Sequence, residues 1–84
     1  MSDESIAARI ERLVTEEHDL HAREQADSPN PAALETDKER LRAVEVELDG
    51  CWDLLRQRRA RRDAGSDPEQ AEVRDAETVE RYLQ

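Results

Sequence analysis

The stretch Asp27-Ser28-Pro29-Asn30-Pro31 divides the chain in two. Two prolines in three residues remove two backbone donors and fix two φ angles. The Asp, Ser and Asn beside them favour turns, so a helix has to stop here. On both sides of the break the apolar residues recur with a helical period of about 100° per residue. Over residues 3–26, Ile6, Ile10, Leu13, Val14 and Leu20 share one face. Over residues 32–63 the face reads Leu34, Leu41, Val44, Leu48, Cys51, Trp52, Leu55, with heptad spacing from Leu41 onward. Folded antiparallel about the prolines, Ile6 meets Leu55, Ile10 meets Cys51 and Trp52, Leu13 meets Leu48, and Leu20 meets Leu41. Two stripes read independently therefore register in one hairpin.

Local signals set the ends. Ser2 or Asp3 can cap the first helix, with Glu4 adding negative charge to its first turn. Two starts are open for the second: Asn30 as cap with Pro31 at the first position, or Thr36 in a capping box with Glu39. Gly65 is placed to stop it. The tail, 65–84, begins Gly65-Ser66-Asp67-Pro68-Glu69, and a short helix over about 76–83 can follow Asp75, carrying Val79, Tyr82 and Leu83 on one side. A helix of two turns is unstable alone and has to dock or fray.

The expected fold is all-α. It is a single helical-hairpin domain over 1–84, with helices at about 3–26 and 32–63, a Pro turn at 27–31 and a tail at 65–84. Leu, Ile and Val number 15 among 84 residues and Phe is absent, a supply low enough that composition alone reads as disorder. Concentrated in one seam, those residues still leave a lone hairpin half uncovered. A homodimer closing into a four-helix bundle is the economical cover, with Ile10, Leu48, Trp52, Leu54 and Leu55 as core or dimer anchors. The tail lying over Trp52, in cis or in trans, could supply part of the same cover.

Charge and motif content exclude several functions. The chain carries 22 acidic against 13 basic side chains, a net −9, which opposes general attraction to nucleic acid or anionic membrane. Two glycines cannot make a phosphate-cradling loop. Cys51 is the lone cysteine, so no internal disulfide forms and a reducing compartment fits. The acidic, polar start lacks the basic and apolar regions of a signal peptide, and no apolar run reaches the ~20 residues of a membrane span. The expectation is a cytoplasmic protein.

Three features could carry chemistry. Glu17 and His21, four apart, interrupt the apolar stripe of the first helix, with His18 at its edge and Asp37 within possible reach on the second. A carboxylate and an imidazole can hold a divalent metal or relay a proton, although a buried hydrogen bond that sets register is the commoner use of such a pair. Arg56, Arg58, Arg59, Arg61 and Arg62 form a basic island. They can bind an acidic partner or phosphate, or complement the helix dipole and pair with Asp3, Glu4 or the acidic tail, Arg59 and Arg62 being the two on the seam side. No aromatics interleave them for base stacking. Cys51 reads as a small hydrophobe, and Trp52 as the packing anchor and the hot spot of any dimer.

The run Leu48-Asp49-Gly50-Cys51-Trp52-Asp53-Leu54-Leu55-Arg56-Gln57-Arg58-Arg59-Ala60 resembles the signature of a family of short uncharacterised bacterial proteins, a domain of unknown function. Glu16-Glu17-His18 with Leu20, then Gly65-Ser66-Asp67-Pro68, and the closing Tyr82-Leu83-Gln84 are similar to further motifs of that family. The resemblance covers nearly the whole chain. It implies a stand-alone protein and brings no activity with it. A weaker likeness, of Leu41–Leu55 to the first helix of all-helical chorismate mutases, lacks the cationic residues those sites need, since Lys38 is the only lysine.

The reading that follows is a non-enzymatic interaction or scaffold protein without a cofactor. It would be a dimeric hairpin that engages a protein partner through the arginine-rich end or the tail. The alternatives are a divalent-metal-binding bundle and a nucleic-acid-binding regulator working through the arginines.

Overall fold

Ser2 opens the first helix by a reciprocal cap. The Ser5 amide donates to Ser2 Oγ at 3.1 Å and the Ser2 amide donates to Ser5 Oγ at 3.0 Å, so two otherwise orphaned donors are satisfied. The structure, a computed structural model, describes residues 2–26 and 30–83. The turn residues 27–29 lie outside the described residues, as do the side chains of Tyr82 and Leu83 expected on the last helix. Helix α1 spans Asp3–Ala26, α2 spans Pro31–Asp63, a single 3-10 turn covers Pro68–Gln70, and α3 spans Ala76–Leu83. No strand occurs among the described residues.

The second helix starts at the proline. Asn30 Oδ1 accepts from the Ala33 amide at 3.3 Å, with Pro31 at the first helical position. Thr36 lies inside α2, its hydroxyl donating back to the Ala32 carbonyl at 3.1 Å. Gly65, at φ +76°, ends α2. Its amide donates to the Arg62 carbonyl and the Ser66 amide to the Arg61 carbonyl, the Schellman pattern that satisfies the last carbonyls of a helix. Asp75 caps α3 by accepting from the Thr78 amide at 2.8 Å and the Thr78 hydroxyl at 3.1 Å.

α1 and α2 lie antiparallel, joined by a seam of Ile6, Ile10, Leu13 and Leu20 against Val44, Leu48, Cys51 and Leu54. Leu41, Leu55 and Ala71 pack partly buried against it. The result is the expected all-α hairpin with a short C-terminal helix. The tail folds back over its own α2, on the flank that carries Asp53 and Gln57. The Gln57 side-chain amide donates to the Glu72 carbonyl at 2.7 Å, Arg74 grips Asp53, and Val79 of α3 is buried to 1 % exposure.

That docking side corrects the expectation for Trp52. It is 52 % exposed, and Val14 is 46 % exposed. Trp52 sits one residue beyond Cys51, hence about 100° round the helix. The inward line of α2 runs through Val44, Leu48, Cys51 and Leu54, and the tail covers the opposite flank. Trp52 is therefore no core anchor of the hairpin. Ile10, Leu48 and Leu54 lie in the core, and Leu55 at its margin.

Candidate functional site

The basic end of α2 faces its own chain. Arg58 is 6 % exposed. Its Nε donates to Asp3 Oδ1 at 2.5 Å and its Nη2 to Glu69 Oε1 at 3.1 Å. Arg62 reaches Asp3 Oδ2 at 2.7 Å, Arg56 pairs with Asp53, and Arg61 approaches Gln70 at 3.4 Å. The start of α1, the end of α2 and the 3-10 turn are thus tied at one end of the hairpin. Arg62, and Arg58 beyond it, hold the Asp3 carboxyl down at about 2. Enclosure of Arg58 takes it off the surface where a partner could meet it. The expected seam-side pair of arginines is corrected too. Arg58, not Arg59, turns inward, because position 58 continues the heptad line of Leu48, Cys51 and Leu55, while Arg62 reaches Asp3 from an exposed position. Arg59 is exposed and makes no ion pair among the described residues.

Asp53, with no exposed surface, holds the tail. Arg74 Nε donates to its Oδ2 at 2.8 Å, Arg74 Nη2 and Arg56 Nη2 reach Oδ1, and the Gln57 amide donates to Oδ2 at 2.9 Å. Arg74 above all lowers its pKa, against the opposing effect of burial. Sequence reasoning missed this centre. Nothing in helical periodicity tells which acid of α2 meets a tail residue 21 positions on. Between α1, α2 and the tail lies an apolar groove of about 260 Å³ lined by Ile6, Val46, Cys51, Leu54, Val73 and Val79. Burial pushes the Cys51 thiol up, which leaves it a packing group rather than a nucleophile.

On the other flank, Val14, Glu17, Glu45, Leu48, Asp49 and Trp52 line a shallow depression. Glu17, His21 and Glu45 bring one ligand atom each to within 4.8 Å of one another. His18 is exposed and stands outside this group, as does Asp37, which pairs with Arg23 at 2.5 Å. Glu45 was legible only indirectly, since the hairpin register that pairs Leu13 with Leu48 sets position 17 opposite Val44, next to Glu45.

A family model described as "Protein of unknown function (DUF2630)" matches residues 2–84. The chain belongs to that family. DUF2630 relatives include an uncharacterised protein of Mycobacterium tuberculosis, Rv0898c, and one of Mycobacterium bovis, Mb0922c. Each is 44 % identical over 81 residues, covering 96 % of this chain and 90 % of the relative. No solved structure matches the chain. No described helix of this DUF2630 protein is long and apolar enough to cross a membrane. Among the described residues, the depression beside Trp52, bordered by Glu17 and Glu45, and the groove under the tail lie on different flanks of α2.

Proposed function

We propose that this DUF2630 protein is a non-enzymatic interaction module that works as a dimer of hairpins, joined through the face that carries Val14 and Trp52. The observation that carries this reading is Trp52, a large aromatic left half in solvent beside an exposed valine. Tryptophan at such a site is the residue type most enriched among interface hot spots.

The size of the molecule supports a second copy as the occupant. A compact chain of this length has a radius of gyration of about 12 Å, whereas this one measures 15.6 Å within a 54 × 24 × 16 Å envelope. A folded monomer of 9.7 kDa exposes about 5,100 Å²; this chain exposes 5944 Å². The excess goes with the elongated shape, and such a molecule has room on its long faces for the roughly 800 Å² that one partner contributes to a standard interface. Pairing of Arg56, Arg58 and Arg62 with the chain's own carboxylates weighs against a nucleic-acid reading, and leaves Arg59 as the arginine best placed to touch a further, acidic protein.

Sedimentation equilibrium from micromolar to submillimolar concentration tests the reading. A dimer is expected, with Trp52→Glu shifting it to monomer while the helical circular dichroism is retained. A wild-type protein that stays monomeric across that range overturns it.

A further inference from the structure

Across the hairpin, side chains of opposite charge meet at several steps along α1 and α2. Arg9 faces Glu47 at 3.5 Å, Arg40 faces Glu16 at 2.5 Å, Arg23 faces Asp37 at 2.5 Å, and Arg58 faces Asp3 at 2.5 Å. Glu17 and Glu45 break the pattern. They bring carboxylate against carboxylate from α1 and α2, and neither makes an ion pair with a described residue. His21, one turn on from Glu17, adds an imidazole to the same spot, with all three ligand atoms within 4.8 Å. Like charges at this separation repel, and a cation between them reverses the sign of the interaction.

We propose that Glu17, His21 and Glu45 form a divalent transition-metal site that staples α1 to α2. One nitrogen and two carboxylate oxygens suit zinc and its neighbours better than calcium or magnesium, which favour all-oxygen sets. Oxygen–metal and nitrogen–metal bonds of about 2.0–2.2 Å span donor atoms spaced like these with small side-chain rotations, and Glu17, His21 and Glu45 are not locked in the core. Glu24 Oε2 stands 3.7 Å from His21 Nδ1, longer than a hydrogen bond, and a small side-chain rotation would let it orient a metal-bound imidazole as carboxylates commonly do. Three protein donors leave coordination positions open to water or to a further ligand. All three ligands come from one chain, so the site forms without the dimer, although Glu17 and Glu45 border the Trp52 face proposed to join two copies.

Trp52 is a built-in reporter, because it lines the same depression as Glu17 and Glu45 and is the only tryptophan. The test uses untagged full-length protein, stripped with a chelator. Zinc binding is followed by calorimetry, and cobalt binding by quenching of tryptophan fluorescence. One zinc per chain is expected, with saturable quenching by cobalt. Glu45→Gln and His21→Ala should each weaken zinc binding at least about tenfold, while His18→Ala leaves it within about twofold, and melting curves confirm that every variant folds. Absence of binding, or binding that survives both Glu45→Gln and His21→Ala as diffuse attraction to an acidic protein, overturns the proposal. Sedimentation of the metal-free protein decides the dimer separately.

Discussion

Asp53 and Arg74 show what one residue can decide in a chain this small. A carboxylate with no exposed surface is tolerable only while its donors stay in place, since an uncompensated buried charge costs about 3–5 kcal/mol. Arg74→Ala removes the donor that most lowers the Asp53 pKa. Arg56 and Gln57 stay behind to meet the carboxylate, so a loss of about 3 kcal/mol in urea unfolding is expected. Replacing both members, Asp53→Leu with Arg74→Met, should recover most of that loss, because no charge is then left buried. Asp37 is the opposite case. It is 5 % exposed, paired with Arg23 on one oxygen, and its Oδ2 has no partner among the described residues. It occupies the α2 seam between Leu34 and Leu41, so Asp37→Leu is expected to raise stability by about 1 kcal/mol, read from the same unfolding curves.

At the scale of elements, the helix ends were the most legible part of the sequence. Ser2, Asn30-Pro31, Gly65 and Asp75 act through groups within a few residues of themselves, which is why capping reads locally. Gly65→Ala should cost about 1–2 kcal/mol, since φ +76° is strained for any residue with a Cβ. How the elements tie together has a pH signature. Asp3 titrates at about 2 in the folded chain and at about 3.9 when unfolded. The depressed folded value means its contribution is complete above about pH 4 and is lost as pH falls toward 2. Asp53 is shifted in the same direction and adds to that loss. Amide exchange followed between pH 5 and pH 2 should show the start of α1 and the tail opening before the middle of the hairpin. Asp3→Asn should flatten part of the slope.

At the scale of the whole molecule, the net charge of −9 governs association. Two copies repel, so a dimer through the Trp52 face should tighten as salt rises, by screening. Sedimentation at about 20 mM and about 500 mM sodium chloride reads this directly, and tryptophan emission should move to the blue as Trp52 leaves water. The sequence by itself determined the hairpin. Two apolar stripes with matched spacing about a proline break admit one antiparallel register, because a helix shows its period to any reader of its residues. The pairing of arginines with the chain's own acids was also open to the sequence, as one of two readings. Only the tertiary structure decided which flank of α2 the tail covers. That choice rests on contacts between residues far apart in the chain, Asp53 with Arg74 and Val79 with the groove, which no local period records. It buries Asp53 and helps to enclose Arg58, and it leaves Trp52 in solvent, whereas the hairpin register alone brings Glu45 to Glu17 and His21. The sequence supplied the residues of every candidate site, and the side on which the tail docks selected which of them face outward.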